Sequence, residues 1–126
     1  MTRQNISSGG PYEVPYGYSR AVRVGNHVHV AGTCAQPPNV EDVDAYGQAV
    51  DALHTIANAL SEAGASMADV VRTRLYVVNI DDTDDVMRAH GEKFGDIRPA
   101  ATLVQVGALI DPNLLVEIEA YAIIDE

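Results

Sequence analysis

The sequence predicts an α+β fold in which two helices cover one face of a mixed β-sheet. Short runs of alternating apolar and polar residues indicate strands, and two stretches with apolar residues at helical spacing indicate helices. Their order along the chain is β-β-α-β-α-β-β. Because each helix connects two strands, both helices should lie on the same face of the sheet. The chain has 126 residues, which predicts a single domain spanning 1–126.

The N-terminal half is predicted to hold a β-hairpin and the longer helix. Residues 1–16 are rich in Gly, Ser and Pro and predict an irregular arm with one short extended piece. Residues 18–24 alternate, and a Gly-Asn turn joins them to a returning strand at 27–33. Apolar residues at helical spacing then predict a helix over about 42–63.

The C-terminal half is predicted to hold three strands and the second helix. Residues 70–80 predict a strong strand. A helix is expected to follow, with Thr83 or Asp82 as its N-cap, and to end at Gly95. Residues 98–109 and 111–122 each alternate as strands do. The second stretch begins with Asp111, Pro112 and Asn113, which are typical of a turn, so we expect these two strands to form a C-terminal hairpin.

Charged and aromatic side chains should occupy the sheet face that the helices leave uncovered. On the predicted alternation they are Arg72, Arg74, Tyr76, Glu117, Glu119, Tyr121, His27 and His29. This face either lies in water or packs against copies of the chain, and its half-apolar composition favours packing. Glu117 is therefore either a proton-transfer group or one partner of an ion pair with Arg72 or Arg74, and Glu119 is expected to be structural.

Composition and charge exclude several classes of partner. The net charge of −10 disfavours nucleic acid and anionic membranes, because both are bound by clustered Lys and Arg. No apolar run approaches the roughly 20 residues that a membrane helix needs. The chain has one cysteine and begins without an apolar leader, which predicts a cytoplasmic location.

No metal or cofactor is predicted. His27 and His29 lie on one side of a strand, but no third ligand follows at a recognisable spacing. His90 falls on the apolar stripe of the second helix and is expected to be a hydrogen-bonded core or interface residue. Cys34 could be a nucleophile or a redox-sensitive thiol lining a cleft, but a lone cysteine after a strand is more often a small apolar filler.

Several short motifs together resemble the RidA/YjgF family, many of whose members are enamine/imine deaminases. The motifs cover nearly the whole chain: residues 17–26, 30–33, 63–71, Phe94, 98–100 and 116–120. The resemblance implies a chorismate-mutase-like or RidA-like fold that assembles as a trimeric barrel. A small-molecule cleft would then lie at each subunit interface, and the polar face of the sheet would form the trimer interior.

The resemblance also implies roles for individual residues. Tyr18, Gly32 with Thr33, and Glu117 match the cleft residues of the deaminating members, in which the Glu positions the attacking water. The Arg that binds the substrate carboxylate in those members is replaced by Ala101. The remaining cleft positions correspond to Leu103 and Met87, which makes this cleft more apolar.

The missing arginine leaves the function open between two main hypotheses. Arg74 is the best candidate to replace it and Arg98 the second, which would permit hydrolysis of 2-aminoacrylate-type substrates. The alternative is a non-catalytic ligand-binding or regulatory trimer. RNA cleavage, with which some members of the family are credited, ranks below both, because three chains at −10 each would carry −30.

Overall fold

The computed structural model describes residues 2–125, so Met1 of the predicted N-terminal arm lies outside the described residues. It contains six strands and three α-helices, with two short 3-10 helices besides. In chain order these are β1 Arg3–Ile6, α1 Glu13–Tyr16, β2 Ala21–Val24, β3 His27–Thr33, α2 Ala45–Glu62, β4 Val70–Val77, α3 Thr83–Phe94, β5 Ala100–Gln105 and β6 Val116–Ile123. The predicted α+β order is confirmed, and β1 is the short extended piece expected in the arm.

All six strands form one mixed sheet in the order β1-β2-β3-β6-β4-β5. Strands β2 and β3 form the predicted hairpin around Gly25, whose φ of 59° suits a glycine in a tight turn. Strand β6 lies between β3 and β4 and is antiparallel to both. Strand β5 is parallel to β4. The central position of β6 places its side chains beside those of β3 and β4.

The predicted C-terminal hairpin is wrong. The two strands exist, but β5 and β6 pair with opposite edges of β4 rather than with each other. The ten residues between Gln105 and Val116 are long enough to carry the chain past β4. Alternation within each strand was therefore a reliable signal, whereas proximity in the sequence did not determine pairing.

Both long helices lie on one face of the sheet, as predicted. Helix α2 buries a stripe that includes Leu53 and Ile56 against β3 and β6. It begins at Ala45 rather than near 42, because Asp42 has a left-handed φ of 59° and the Asp44 side chain caps the helix by accepting from Gly47 N. Helix α3 packs beside α2, and its Phe94 is buried.

The opposite face, which we call the open face, carries the eight polar and aromatic residues predicted for it. On β6, for example, Glu117, Glu119 and Tyr121 remain half-exposed while Val116 and Ile118 are fully buried among the helices. Strand β4 alternates in the same way. In residues 2–125, no helix is long and apolar enough to cross a membrane.

Candidate functional site

Glu117 lies on the open face, where the first part of β6 passes the end of β3. Its carboxylate rests directly over Gly32, and a Cβ added to Gly32 would come within 2.5 Å of Glu117 Oε2 and 2.9 Å of its Cδ. Only a residue without a side chain leaves room for the carboxylate at this position. Gly32 and Glu117, which were matched separately by the resemblance, are thus in contact.

Cys34 provides the hydrogen bond that the structure gives to Glu117. Its Sγ donates to Glu117 Oε1 over 3.3 Å. Burial and the adjacent Glu117 carboxylate raise the pKa of the Cys34 thiol to about 12. The thiol is therefore protonated at neutral pH. This disfavours a nucleophilic role for Cys34, one of the roles that the sequence left open. Cys34 is only half-buried and makes a polar contact, so it is more than an apolar filler.

The ion pair that the sequence offered as the alternative role for Glu117 is absent from residues 2–125. No Lys, Arg or His in that range lies within 4.0 Å of the Glu117 carboxylate oxygens. Arg72 instead donates to Thr102 Oγ1 on β5 over 2.9 Å. Arg74 is the residue opposite Glu119 in the strand register, and the hydrogen bond to Glu119 comes from the Tyr76 hydroxyl. Glu119 thus has the structural contact expected of it.

A buried ion pair that the sequence did not reveal supports the Gly32–Thr33 segment from behind. Arg20 Nη1 donates to Gly32 O over 2.6 Å and to Thr33 Oγ1 over 2.9 Å. Its Nε lies 4.0 Å from Glu13 Oε2, and the two side chains are only 8% and 3% exposed. The sequence gives no sign of this burial, because a single charged residue at the start of a strand has no pattern that marks it as buried.

Glu13 is held in its ionised form by several donors. Burial alone would raise the pKa of Glu13, but hydrogen bonds from Ser8 and Gly10 outweigh it and lower the pKa below its usual value. The contacts that link Glu13 through Arg20 to Gly32 therefore form a buried polar network. It fixes the strand end over which Glu117 rests.

Replacing Arg20 with Met should lower the free energy of unfolding at pH 7 by about 3 kcal/mol, since it leaves the Glu13 charge buried without its cation. The loss should stay near the lower end of the range usual for breaking a buried ion pair, because Ser8 and Gly10 still donate to the Glu13 carboxylate. Denaturant unfolding measures the change. Lys93→Met, an exposed change on α3, is the control and should stay within about 0.5 kcal/mol. Equal effects of the two substitutions would contradict the supporting role.

The predicted ligand contacts Tyr18 and Arg74 share a groove on the open face. The groove has a volume of about 410 Å³, and Asn5, His29 and Tyr121 also line it. Tyr18 is 40% exposed, and the Arg20 guanidinium lies 5.6 Å from its ring centre. Within residues 2–125, Arg74 makes no hydrogen bond or ion pair, so its guanidinium is available to a ligand there.

Within a single chain, three other predicted site residues lie on elements or faces away from Glu117. Leu103 pairs with the buried Leu75 and packs against the core on the helix side, and Ala101 pairs with the buried Thr73. Met87 lies on α3 and also packs against the core. One chain alone therefore brings together Gly32, Thr33, Cys34 and Glu117, but it does not bring Ala101, Leu103 or Met87 to them.

The three histidines that the sequence analysis considered, His27, His29 and His90, have structural contacts. His90 is buried and its Nε2 lies 2.8 Å from Thr73 Oγ1, and burial lowers the pKa of His90. His27 hydrogen-bonds the Tyr121 hydroxyl, and His29 stacks on the Tyr121 ring at 4.6 Å between ring centres. Across the described part of the chain, no group of three His, Cys, Asp or Glu residues could hold a metal ion.

Comparison with known proteins places this chain in one family. Residues 12–124 match the family described as Endoribonuclease L-PSP. A crystal structure from Mycobacterium tuberculosis, of a member of the YjgF/YER057c/UK114 family, superposes with a TM-score of 0.91 at 49% identity, covering 98% of this chain and 100% of that one. The chain belongs to the RidA/YjgF family, and the predicted family and fold are confirmed.

Two curated relatives differ in what is known of them. An uncharacterized protein of Streptomyces coelicolor is 39% identical over 122 residues, covering 94% of this chain and 91% of the relative. The 3-aminoacrylate deaminase RutC of Acinetobacter baylyi is 34% identical over 108 residues, covering 83% of this chain and 84% of the relative. Deaminase activity thus occurs among close relatives of the chain.

Proposed function

We propose that residues 1–126 form one domain of a cytoplasmic homotrimer that hydrolyses enamines or imines at its subunit interfaces. The observation that carries this proposal is the Glu117 carboxylate. One of its oxygens, Oε1, accepts from Cys34, while the other, Oε2, accepts from no donor in residues 2–125. A fixed carboxylate with one free oxygen suits a group that takes a proton from water.

The trimer is supported by what a single chain leaves unfinished. Three residues match cleft positions of the family. Ala101 and Leu103 lie on the helix side of the edge strand β5, and Met87 lies on α3. Glu117, Gly32 and Cys34 lie on the open face near the end of β3. A second copy that packs its β5 edge beside β3 would supply the missing wall, and the half-apolar open face would become buried.

The proposed reaction converts an imine and water into a carbonyl compound and ammonia. Glu117 Oε2 accepts a proton as the water oxygen bonds to the imine carbon. The same proton then passes to the imine nitrogen, which gives a carbinolamine that carries a hydroxyl and an amino group. Glu117 Oε2 next takes the hydroxyl proton as the carbon–oxygen double bond forms and delivers it to the nitrogen, so that the carbon–nitrogen bond breaks and ammonia leaves. Atoms and charge balance without a cofactor, and the carboxylate is regenerated.

The position of the missing carboxylate anchor supports placing the chain in an arginine-lacking subgroup of the family. On the resemblance, Ala101 matches the position at which the deaminating members carry Arg. Arg74 is our first candidate for the replacement, because its guanidinium lines the open-face groove without a partner in residues 2–125. Arg98 is the second; it is exposed in the turn between α3 and β5 and has a left-handed φ of 55°.

Ala101→Arg should lower the KM for 2-iminobutanoate about tenfold and leave kcat within a factor of two. A new guanidinium at this position would add a charge-assisted contact to the substrate carboxylate that is made equally in the ground state and the transition state. Steady-state kinetics on both proteins measure this. Ala108→Arg adds the same charge to the exposed loop after β5 and should leave KM unchanged. An equal fall in KM for both variants would mean that charge alone, and not the cleft position, attracts the substrate.

A non-catalytic ligand-binding or regulatory trimer is the alternative, and the apolar side chains at Ala101, Leu103 and Met87 favour it. Such a cleft suits a larger or less anionic ligand. Endoribonuclease activity, which the family description names, ranks lower. The net charge of −10 per chain opposes binding of a polyanion.

The test is hydrolysis of 2-iminobutanoate and of 3-aminoacrylate, each generated in situ, with ammonia release followed in the presence and absence of the wild-type protein. Acceleration in proportion to protein concentration would support the deaminase. Size-exclusion chromatography with light scattering should give three times the monomer mass of 13.5 kDa. A stable monomer would remove the interface cleft, and a trimer without hydrolysis would favour the ligand-binding alternative.

A further inference from the structure

We propose that Cys34 is a positioning residue whose thiol holds Glu117 Oε1 and so leaves Oε2 as the oxygen that takes the proton. The inference rests on the proposed role of Glu117 in imine hydrolysis. It adds an assignment at the level of single atoms. It also gives the single cysteine of the chain a role that its position after β3 did not reveal.

The end of β3 constrains both oxygens of the carboxylate. Cys34 Sγ reaches Oε1 over 3.3 Å. Two residues earlier, Gly32 lies beneath Oε2 and offers no side chain. The two oxygens of a carboxylate are chemically equivalent, so the directional bond from the thiol does not choose between them. It fixes the plane of the carboxylate, with one oxygen bonded to the thiol and the other over Gly32. The strand thus holds Glu117 in one orientation.

The protonation states fit a donor thiol and an acceptor carboxylate. Burial and the Glu117 charge raise the pKa of Cys34 to about 12, while the charge of Arg20 acts in the opposite direction. Glu117 faces the thiol from β6, and Arg20 faces it from the residue before β2. At neutral pH the thiol is therefore a neutral donor, and loss of its proton would place two negative groups in contact.

A titration tests the contact without any enzyme assay. Because Cys34 is the only cysteine, labelling with 13Cβ-cysteine gives a single NMR resonance that reports thiol ionisation. In the wild-type protein this resonance should stay at its thiol position up to about pH 10. In Glu117→Gln the thiol midpoint should fall by about one to two pH units. Glu119→Gln, two residues along the same face, is the matched control and should leave the midpoint in place. An unchanged midpoint in Glu117→Gln would overturn the proposal.

Kinetics then test the positioning role. Cys34→Ala should lower kcat about tenfold with KM within a factor of two, and Cys34→Ser, which keeps an O–H donor, should recover most of the loss. Equal losses in the two variants, or none in Cys34→Ala, would overturn the role. Should the wild-type protein hydrolyse neither substrate, the proposed function fails, and with it the catalytic part of this inference. The titration would still decide whether the Cys34–Glu117 contact exists.

Discussion

Glu117→Gln should lower kcat for imine hydrolysis by about 10²- to 10⁴-fold, the range that loss of a positioned general base produces. Gln keeps the size and shape of Glu117 and can still accept from the Cys34 thiol through its amide oxygen. It cannot take a proton from water. KM should change little, since the groups proposed to bind the substrate lie elsewhere. Ammonia release under saturating substrate measures the effect.

Two comparisons separate this loss from a general effect of lost charge or stability. Glu41→Gln removes a carboxylate from an exposed loop and should leave kcat unchanged. The free energy of unfolding of Glu117→Gln, measured with denaturant, should lie within about 1 kcal/mol of the wild-type value, because no cation in residues 2–125 pairs with this carboxylate. Full activity together with a large loss of stability would instead support the structural ion pair that the sequence left open, formed across a subunit interface.

Side-chain alternation predicted the faces of the sheet correctly, because it follows directly from the period-two geometry of a strand. On β6 the half-exposed Glu117 and Glu119 alternate with the buried Val116 and Ile118 as expected. The order in which the strands pair was harder to predict from the sequence. Strand β6 lies between β3 and β4, and only long-range packing decides that order. A turn-forming sequence such as Asp-Pro-Asn therefore suggested a hairpin that does not form.

The candidate site was predictable only in part, and for a related reason. The resemblance brought Gly32 and Glu117 forward as separate matches, but their contact depends on the register of β6 against β3. The bond from Cys34 and the support from Arg20 and Glu13 depend on burial and rotamers that no spacing encodes. Sequence patterns identify which residue types lie on a face, whereas the chemistry of a site depends on which atoms approach within hydrogen-bond distance.

The contact between Gly32 and Glu117 leads to the second large prediction. Gly32→Ala should reduce kcat for imine hydrolysis about 100-fold, because displacement of a catalytic group by about 1 Å costs roughly that much. The new Cβ would come within 2.5 Å of Glu117 Oε2, so the carboxylate must move away and lose the Cys34 bond. The Cys34 midpoint in the 13Cβ titration should fall in the same variant, as in Glu117→Gln.

Stability should respond far less than activity, and this difference makes the prediction specific. The atoms in the way are the far end of a flexible side chain, which can rotate on the half-exposed face at a cost of about 1 kcal/mol. Gly107→Ala is the matched control, because an added Cβ there would meet nothing within 4 Å. If Gly32→Ala retained both the activity and the high thiol midpoint, the position of Glu117 over Gly32 would be irrelevant to the chemistry. Loss of activity with an intact thiol midpoint would mean that Gly32 acts through the substrate and not through Glu117.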